Sequence, residues 1–494
     1  MTAGPPDDTA ANDGQEKAPL IVDMDHTILR TDTLVEGIVA GVFQKPFAMM
    51  IRLATAVLSR PRFKSWVFKN VDVDYEAIPT NEKLIDYLRS QRKRGRPIHL
   101  VSAADQGVVD RIAAHFGIFD SALGSSNGVN LKGRRKLGAI RQRFGDSFVY
   151  VGDSRPDMKV WSGSTGGIYA GTNASIRRRL TKRGDWLEAD FSQRAGGMHA
   201  WLKALRLHQW TKNLLIFAPL ILSHHYTDLT ATLETLLAFL VVGITASGTY
   251  LINDMSDLGA DRRHRTKRNR PLASGAMPLW AGLILAPILI AGGLAAAYFL
   301  APLFAVALAG YLVLTLSYSL KFKITPLLDV FILAALYTLR LVMGTIVAGA
   351  DYSLWLLTFS MFFFFSLSLA KRHVELIAPD VRPGVAIRGR GYYPEDAPLT
   401  RSLGIASATA SILILVLYLV DEAYGVAVYK APVFLAGIPV IIAIWTARIW
   451  LLAHRGQLDD DPVSFATRDR VSFILGFVLV VLMAAALFVD GLRF

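Results

Sequence analysis

The chain has no cysteine in 494 residues. Disulfides, thiolate metal sites and cysteine nucleophiles are therefore excluded from the start. Acidic residues are also scarce: 40 Asp and Glu face 53 Lys and Arg, for a formal charge of +13. Charged residues of either sign make up only 19% of the chain, against 52% apolar ones and a mean hydropathy of +0.37. That balance is too apolar for an ordinary soluble domain. The N-terminus lacks a basic stretch leading into an apolar core, so no secretory signal is expected there. Residues 1–17, rich in Pro and Asp, are expected to form a disordered tail. The basic residues follow the loops between apolar runs and form no aromatic-interleaved patch, which argues against a nucleic-acid partner.

What is present falls into two halves. Residues 18–190 alternate short apolar strands ("PLIVDMD", "PIHLVSA", "SFVYVGD") with polar, helix-compatible stretches. Each strand ends on a polar residue, the pattern of a parallel α/β sheet with a site at the strands' C-terminal ends. Residues 191–206 read as a linker. From about 207 onward come nine apolar runs, near 207–225, 231–253, 279–299, 303–319, 326–349, 353–371, 402–421, 431–453 and 471–490. A spanning helix needs roughly 20 apolar residues, and the first and fourth runs are the weakest. The charges support nine. Loops after the even runs hold Arg262–Arg270, Lys321 and Lys323, Lys371–Arg401 and Arg455–Arg470, whereas those after the first, third, fifth and seventh hold only Lys430. Basic loops favour the cytoplasmic side. The expectation is an all-α, nine-helix bundle in a bacterial inner membrane, with the N-terminal domain and the basic loops inside and the C-terminus outside.

At one exit stands "NDMSDLGADRRHRTKRNRPLASG", residues 253–275. On a continuous helix, Asn253, Asp254, Asp257 and Asp261 would fall at roughly 0°, 100°, 40° and 80°, within one sector. Such a cluster repels itself unless cations bind. Hard oxygen ligands suit Mg²⁺, which bridges to substrate phosphates, and the Arg/Lys run beyond it can grip phosphate oxygens. The reading is a metal-bridged diphosphate site at the cytoplasmic membrane surface.

This stretch resembles the first Asp-rich motif of the UbiA superfamily of intramembrane prenyltransferases, nine-helix proteins that bind Mg²⁺-diphosphate. The resemblance covers residues 200–494. Most members carry a second motif with two Asp residues four apart; here Asp329 is present but position 333 is Leu. Together with "HQWTKNLLIFAPL", "YSLKFK", "LAKRHVEL" and "DPVSFATRDR", that departure is similar to the branch transferring phosphoribose to polyprenyl phosphate. The resemblance implies 5-phosphoribosyl 1-diphosphate and polyprenyl phosphate as substrates and a precursor of lipid-linked arabinofuranose as product. It further implies one or two Mg²⁺ on Asn253, Asp254, Asp257 and Asp261. Phosphate contacts would come from Lys212, Asn213, Asn253, Arg262, Lys267 and Arg270. Tyr318, Lys321, Asp329, Lys371 and Arg372 would complete the donor or acceptor site, with Glu375, Arg468 and Asp469 at neighbouring exits. The competing reading is a transferase moving a prenyl group from its diphosphate to an aromatic acceptor. A transporter is disfavoured because charge clusters at the exits rather than mid-bilayer.

In the N-terminal half, "LIVDMDHTILRTD" places Asp23, Asp25 and Thr27 after a strand, Ser102 ends "IHLVS", Lys136 lies in "NLKGRRKLGAI", and Asp153 and Asp157 lie in "VYVGDSRPD". The four motifs, in this order, resemble the haloacid dehalogenase superfamily, with 33–80 as a small helical cap apolar enough to lie on a membrane surface. The resemblance implies phosphoryl transfer through an aspartyl phosphate. Asp23 would be the nucleophile and Asp25 the acid–base. Thr27, Ser102 and Lys136 would hold phosphoryl oxygens, and one Mg²⁺ would sit among Asp23, Asp25, Asp153 and Asp157. His26 stands where many relatives have Gly. The pairing suggests that the phosphatase removes the 5-phosphate from the transferase's product. Whether the chain forms a homo-oligomer is left open.

Overall fold

The structure is a computed structural model that describes residues 18–56, 60–126, 130–193, 196–379, 381–387, 389–458 and 462–490. The expected tail at 1–17 lies outside them. The chain divides into two compact units: Met1–Ala204 with Asp254–Leu283, and Leu205–Asn253 with Ile284–Phe494.

The first unit is built on six parallel strands: β1 (Leu20–Val22), β2 (Ile98–Asp105), β3 (Ser121–Ser125), β4 (Val149–Gly152), β5 (Gly166–Tyr169) and β6 (Leu187–Asp190). Their order is β3-β2-β1-β4-β5-β6, with Leu20 in register with Ile98 on one side and Val149 on the other. The short apolar run "LIV" is fully buried because helices cover both faces. Leu20 and Val22 join one core and Ile21 the other, as the two-residue period of a strand requires. The strand order reverses between β1 and β4, and the crevice beyond the C-terminal ends at such a point is where open α/β sheets bind ligands.

Between β1 and β2 an insertion supplies α1 (Thr33–Gln44), α2 (Pro46–Ala56) and α3 (Arg60–Asn70). Asp32 caps α1 by accepting from the Leu34 and Val35 amides. Met49, Phe63, Val67 and Val71 form the insertion's own small core. Then come α4 (Glu82–Lys93), α5 (Gln106–Phe116), α6 (Arg134–Phe144), α7 (Met158–Trp161), α8 (Ala174–Thr181) and α9 (Gly197–Ala204).

The second unit is helical and opens on a ten-residue 3₁₀ stretch, Leu207–Ile216, running into α10 (Phe217–Leu222). Next along the chain come α11 (Leu229–Ser256), α12 (Leu258–Arg263), α13 (Leu279–Leu300), α14 (Pro302–Leu320), α15 (Leu328–Ala348), α16 (Leu354–Leu376), α17 (Ala397–Tyr418), α18 (Gly437–His454), α19 (Pro462–Ala466) and α20 (Arg470–Phe488). Residues 254–283, with α12 and the start of α13, belong to the first unit. Among the described residues eight helices are long and apolar enough to cross a membrane. This corrects the expected count of nine helices. The first run starts with the polar sequence "HQWTKN", and its first ten residues are 3₁₀ with only six α-helical residues after them, so no 20-residue α-helix forms there. The segment packs along α15 instead. Gly344 lets the backbone of Ile216 approach to where a Cβ would meet its carbonyl oxygen at 2.2 Å.

Candidate functional sites

At the C-terminal edge of the sheet, beside the switch point, lies a cavity of about 840 Å³ lined by Asp23, Asp25, Ser102, Lys136, Asp153 and Asp157. Asp23 comes directly after β1. The turn beyond it holds His26 at φ 57°, the left-handed region that glycine occupies without cost and histidine tolerates. Lys136, in the first turn of α6, is buried and puts Nζ 2.8 Å from Asp23 Oδ1. The same nitrogen donates to Tyr150 Oη at 2.8 Å. Gly133, at φ 59° and ψ −120°, starts α6 in a conformation closed to other residues.

Asp157 is held by its neighbours. Its Oδ2 accepts from Ser154 N at 3.0 Å and Ser154 Oγ at 2.8 Å, while Oδ1 accepts from Tyr150 Oη at 2.8 Å. Thr27 donates toward Asp153 Oδ1 at 3.5 Å, so it orients an acid. Ser102 lies inside β2 rather than at its end, where the pairing with β3 shifts between Val101 and Asp105. That irregularity re-aims side chains at the cavity.

Oxygens of Asp23, Asp153 and Asp157 lie within 4.8 Å of one another. Burial raises the pKa of Asp23, although Lys136 opposes it, and Asp157 raises it further. Asp153 is pushed well above the carboxylate range by burial and by Asp157 and Asp23. Three crowded acids served by one lysine are short of positive charge, and hard oxygens at this spacing fit Mg²⁺. Asp25, expected among the ligands, is not in this group. Its Oδ1 accepts from Thr33 N at 2.9 Å, and burial, with Asp32 nearby, pushes its pKa up to about 8. A carboxyl kept protonated near neutrality is suited to donating a proton.

The 254–283 segment differs from its sequence reading. The helix breaks at Asp257, so Asp254 lies in the last turn of α11 and Asp261 in α12. Among the described residues these acids do not form a converging group of three. Arg270 instead joins two of them, with Nη1 3.0 Å from Asp254 and 2.5 Å from Asp261. Arg262 is likewise committed, forming a two-pronged pair with Glu36 of α1 at 2.6 and 3.1 Å. Glu36 also accepts from Thr31 at 2.6 Å, and both pair members are nearly inaccessible to solvent. The buried Glu36 pairing takes Arg262 out of the expected phosphate-binding set. Lys267 stands exposed in the next turn.

In the helical unit, Asp329 is sealed. Its Oδ2 takes Arg372 Nε at 2.6 Å and its Oδ1 takes Tyr392 Oη at 2.7 Å. Arg372 also reaches Tyr318 Oη at 3.2 Å and pairs with Glu375; Arg390 donates to the same Tyr318 at 3.0 Å. Lys321 sits exposed in the break between α14 and α15. Deeper in α15, Arg340 is buried, donating to Asn213 Oδ1 at 2.9 Å and to Tyr311 Oη at 3.0 Å. The buried Nδ2 of Asn213 has no hydrogen-bond partner among the described residues, which leaves a donor for a ligand. Lys212, Asn253 and Lys371 belong to this unit as well.

Residues 214–476, just over half of the chain, match the UbiA prenyltransferase family. The chain belongs to that family. With eight long apolar helices among the described residues it is a multi-pass integral membrane protein. The uncharacterized protein y4nM of Sinorhizobium fredii is 40% identical over 94% of this chain and 90% of its own length. The nodulation protein NoeC of Azorhizobium caulinodans is 34% identical over 56% of this chain and 91% of its own. The decaprenyl-phosphate phosphoribosyltransferase of Mycobacterium tuberculosis is 30% identical over 58% of this chain and 93% of its own.

Sequence reasoning missed three groups that the fold exposes. Arg340 is hidden inside an apolar UbiA-region helix, and its charge at that depth was the available signal. Tyr392 and Arg390 come from a loop with no periodic pattern. Tyr150 stands within the apolar strand "VYVG", on the opposite face from Val149 and Val151.

Proposed function

We propose that the UbiA region transfers 5-phosphoribose from 5-phosphoribosyl 1-diphosphate to a polyprenyl phosphate. The N-terminal domain would be a haloacid-dehalogenase-type phosphatase that then removes the 5-phosphate, giving polyprenyl-phosphoryl ribose for cell-envelope arabinan synthesis. The convergence of Asp23, Lys136, Asp153 and Asp157 at the switch point carries the phosphatase half. Asp23 attacks phosphorus while the ester P–O bond breaks. Asp25 gives the leaving alkoxide a proton, then takes one from the water that hydrolyses the aspartyl phosphate. Lys136 and Ser102 hold the phosphoryl oxygens. Mg²⁺ held by Asp23, Asp153 and Asp157 would offset repulsion between carboxylate and phosphate.

The transferase half rests on family membership and on Asp329, whose two oxygens are already taken by Arg372 and Tyr392. The second acidic motif that a prenyl diphosphate donor would call for is reduced to this one Asp, with Leu at position 333. Asp254 and Asp261 would hold Mg²⁺ that stabilises the departing diphosphate, with Arg270 turning from the acids to a phosphate oxygen. A cytoplasmic N-terminal domain requires residues 207–222 to cross the bilayer. At about 2.0 Å per residue in the 3₁₀ stretch and about 1.5 Å in α10, they reach roughly 30 Å, the hydrocarbon thickness. Packing along α15 covers the irregular backbone, as lipid demands. That crossing would also leave the C-terminus outside.

The test is to supply Asp23→Asn protein with 5-phosphoribosyl 1-diphosphate and polyprenyl phosphate. The phosphorylated lipid should accumulate. Equal dephosphorylation by variant and parent would reject the sequential reading.

A further inference from the structure

The helical insertion carries an apolar face that its own packing leaves unused. In α2, Met49 is fully buried in the insertion's core. On the opposite side Phe47, Met50, Ile51 and Ala54 fall within a sector of about 100°. The first three are 78%, 65% and 62% exposed. From Gly37 to Val71 the chain has six Lys and Arg and no Asp or Glu. Arg52 flanks the face, its guanidinium 5.5 Å over the Trp66 ring. An apolar stripe edged with basic side chains is what a helix lying in an anionic lipid interface presents. The spanning helices keep this chain in a bilayer, so that partner is always at hand. The same insertion also walls the phosphatase cavity: Leu34, Ala56, Phe63, Lys64 and Phe68 share it with Asp23.

We infer that α2 is an interfacial membrane helix seated in an anionic lipid surface, and that the phosphatase cavity takes its phosphate ester from that surface. The phosphate meets Asp23 and Lys136, and the lipid-linked remainder runs past Leu34, Phe63 and Phe68. The substrate half of this inference rests on the proposed phosphatase activity; the membrane half stands on the face itself.

Because the chain has no cysteine, Met50→Cys places one fluorophore on the face and Lys83→Cys, exposed on α4, places a control. The full chain is reconstituted in vesicles of phosphatidylcholine and phosphatidylglycerol. A lipid-borne quencher should reduce Met50→Cys emission at least about threefold more than the control, with the reverse order for an aqueous quencher. Aqueous quenching equal to the control overturns the membrane seat. So does shielding from both quenchers, the mark of a second protein copy on the face. The triple variant Phe47→Asp, Met50→Asp, Ile51→Asp should hydrolyse vesicle-borne polyprenyl-phosphoryl 5-phosphoribose about tenfold more slowly and ribose 5-phosphate within about twofold of the parent. An equal fall on both substrates, or no fall on the lipid, overturns delivery from the membrane. A parent that hydrolyses neither ends the substrate half together with the phosphatase reading, and the quenching alone then decides the membrane half.

Discussion

Asp23, Asp153 and Asp157 come from two loops 130 residues apart in the chain, yet their oxygens converge within 4.8 Å. Asp254, Asp257 and Asp261 lie within eight positions of one another, yet a helix break separates them and Arg270 sits between two of them. Closeness in sequence was the weaker guide. Loops at the ends of adjacent parallel strands are aimed at one crevice by the sheet, whereas residues at a helix end depend on whether the helix continues. The first cluster is left short of positive charge and suited to a divalent ion; the second already has a cation and must exchange it.

That contrast can be broken in order of expected effect. Replacing both Asp254 and Asp261 with Asn should cut lipid-linked sugar formation at least about 10³-fold without altering ribose 5-phosphate hydrolysis, and Asp23→Asn should do the opposite. Loss of both activities in either variant would show that the two clusters are not separate sites. Glu36→Gln leaves Arg262 buried without a counter-charge and should destabilise the first unit by about 3–5 kcal/mol, read by thermal unfolding. Pairing it with Arg262→Met should restore most of that loss. Arg270→Ala should weaken donor binding about tenfold, seen as a raised KM, if the side chain moves from acids to phosphate. An unchanged KM would fix it as a structural bridge. His26→Gly should shift stability by less than about 1 kcal/mol, because relief at φ 57° is offset by a freer unfolded chain.

Whereas Asp157, four residues beyond Asp153, was named only through the motif resemblance, Asp23 and Asp153 were legible because a short apolar run ending on a carboxylate marks a buried parallel strand. The ligand set was not: Asp25 turns to Thr33 and Tyr150 turns inward, choices made by side-chain direction rather than residue type. In the membrane region, hydropathy located most of the spans, but it treated 207–225 as one more helix. Only packing against Gly344 and Arg340 shows why that segment need not be one.

By itself the sequence determined the membrane residence and the residue types available for chemistry, since burial and charge follow from composition and period. The tertiary structure decided which charges stay available. Arg262 and Asp329 are withdrawn into buried pairs, while Asp23 and Asp153 are left crowded. A charge taken out of water must find a partner, and which partner lies within reach depends on three-dimensional distance rather than on order along the chain.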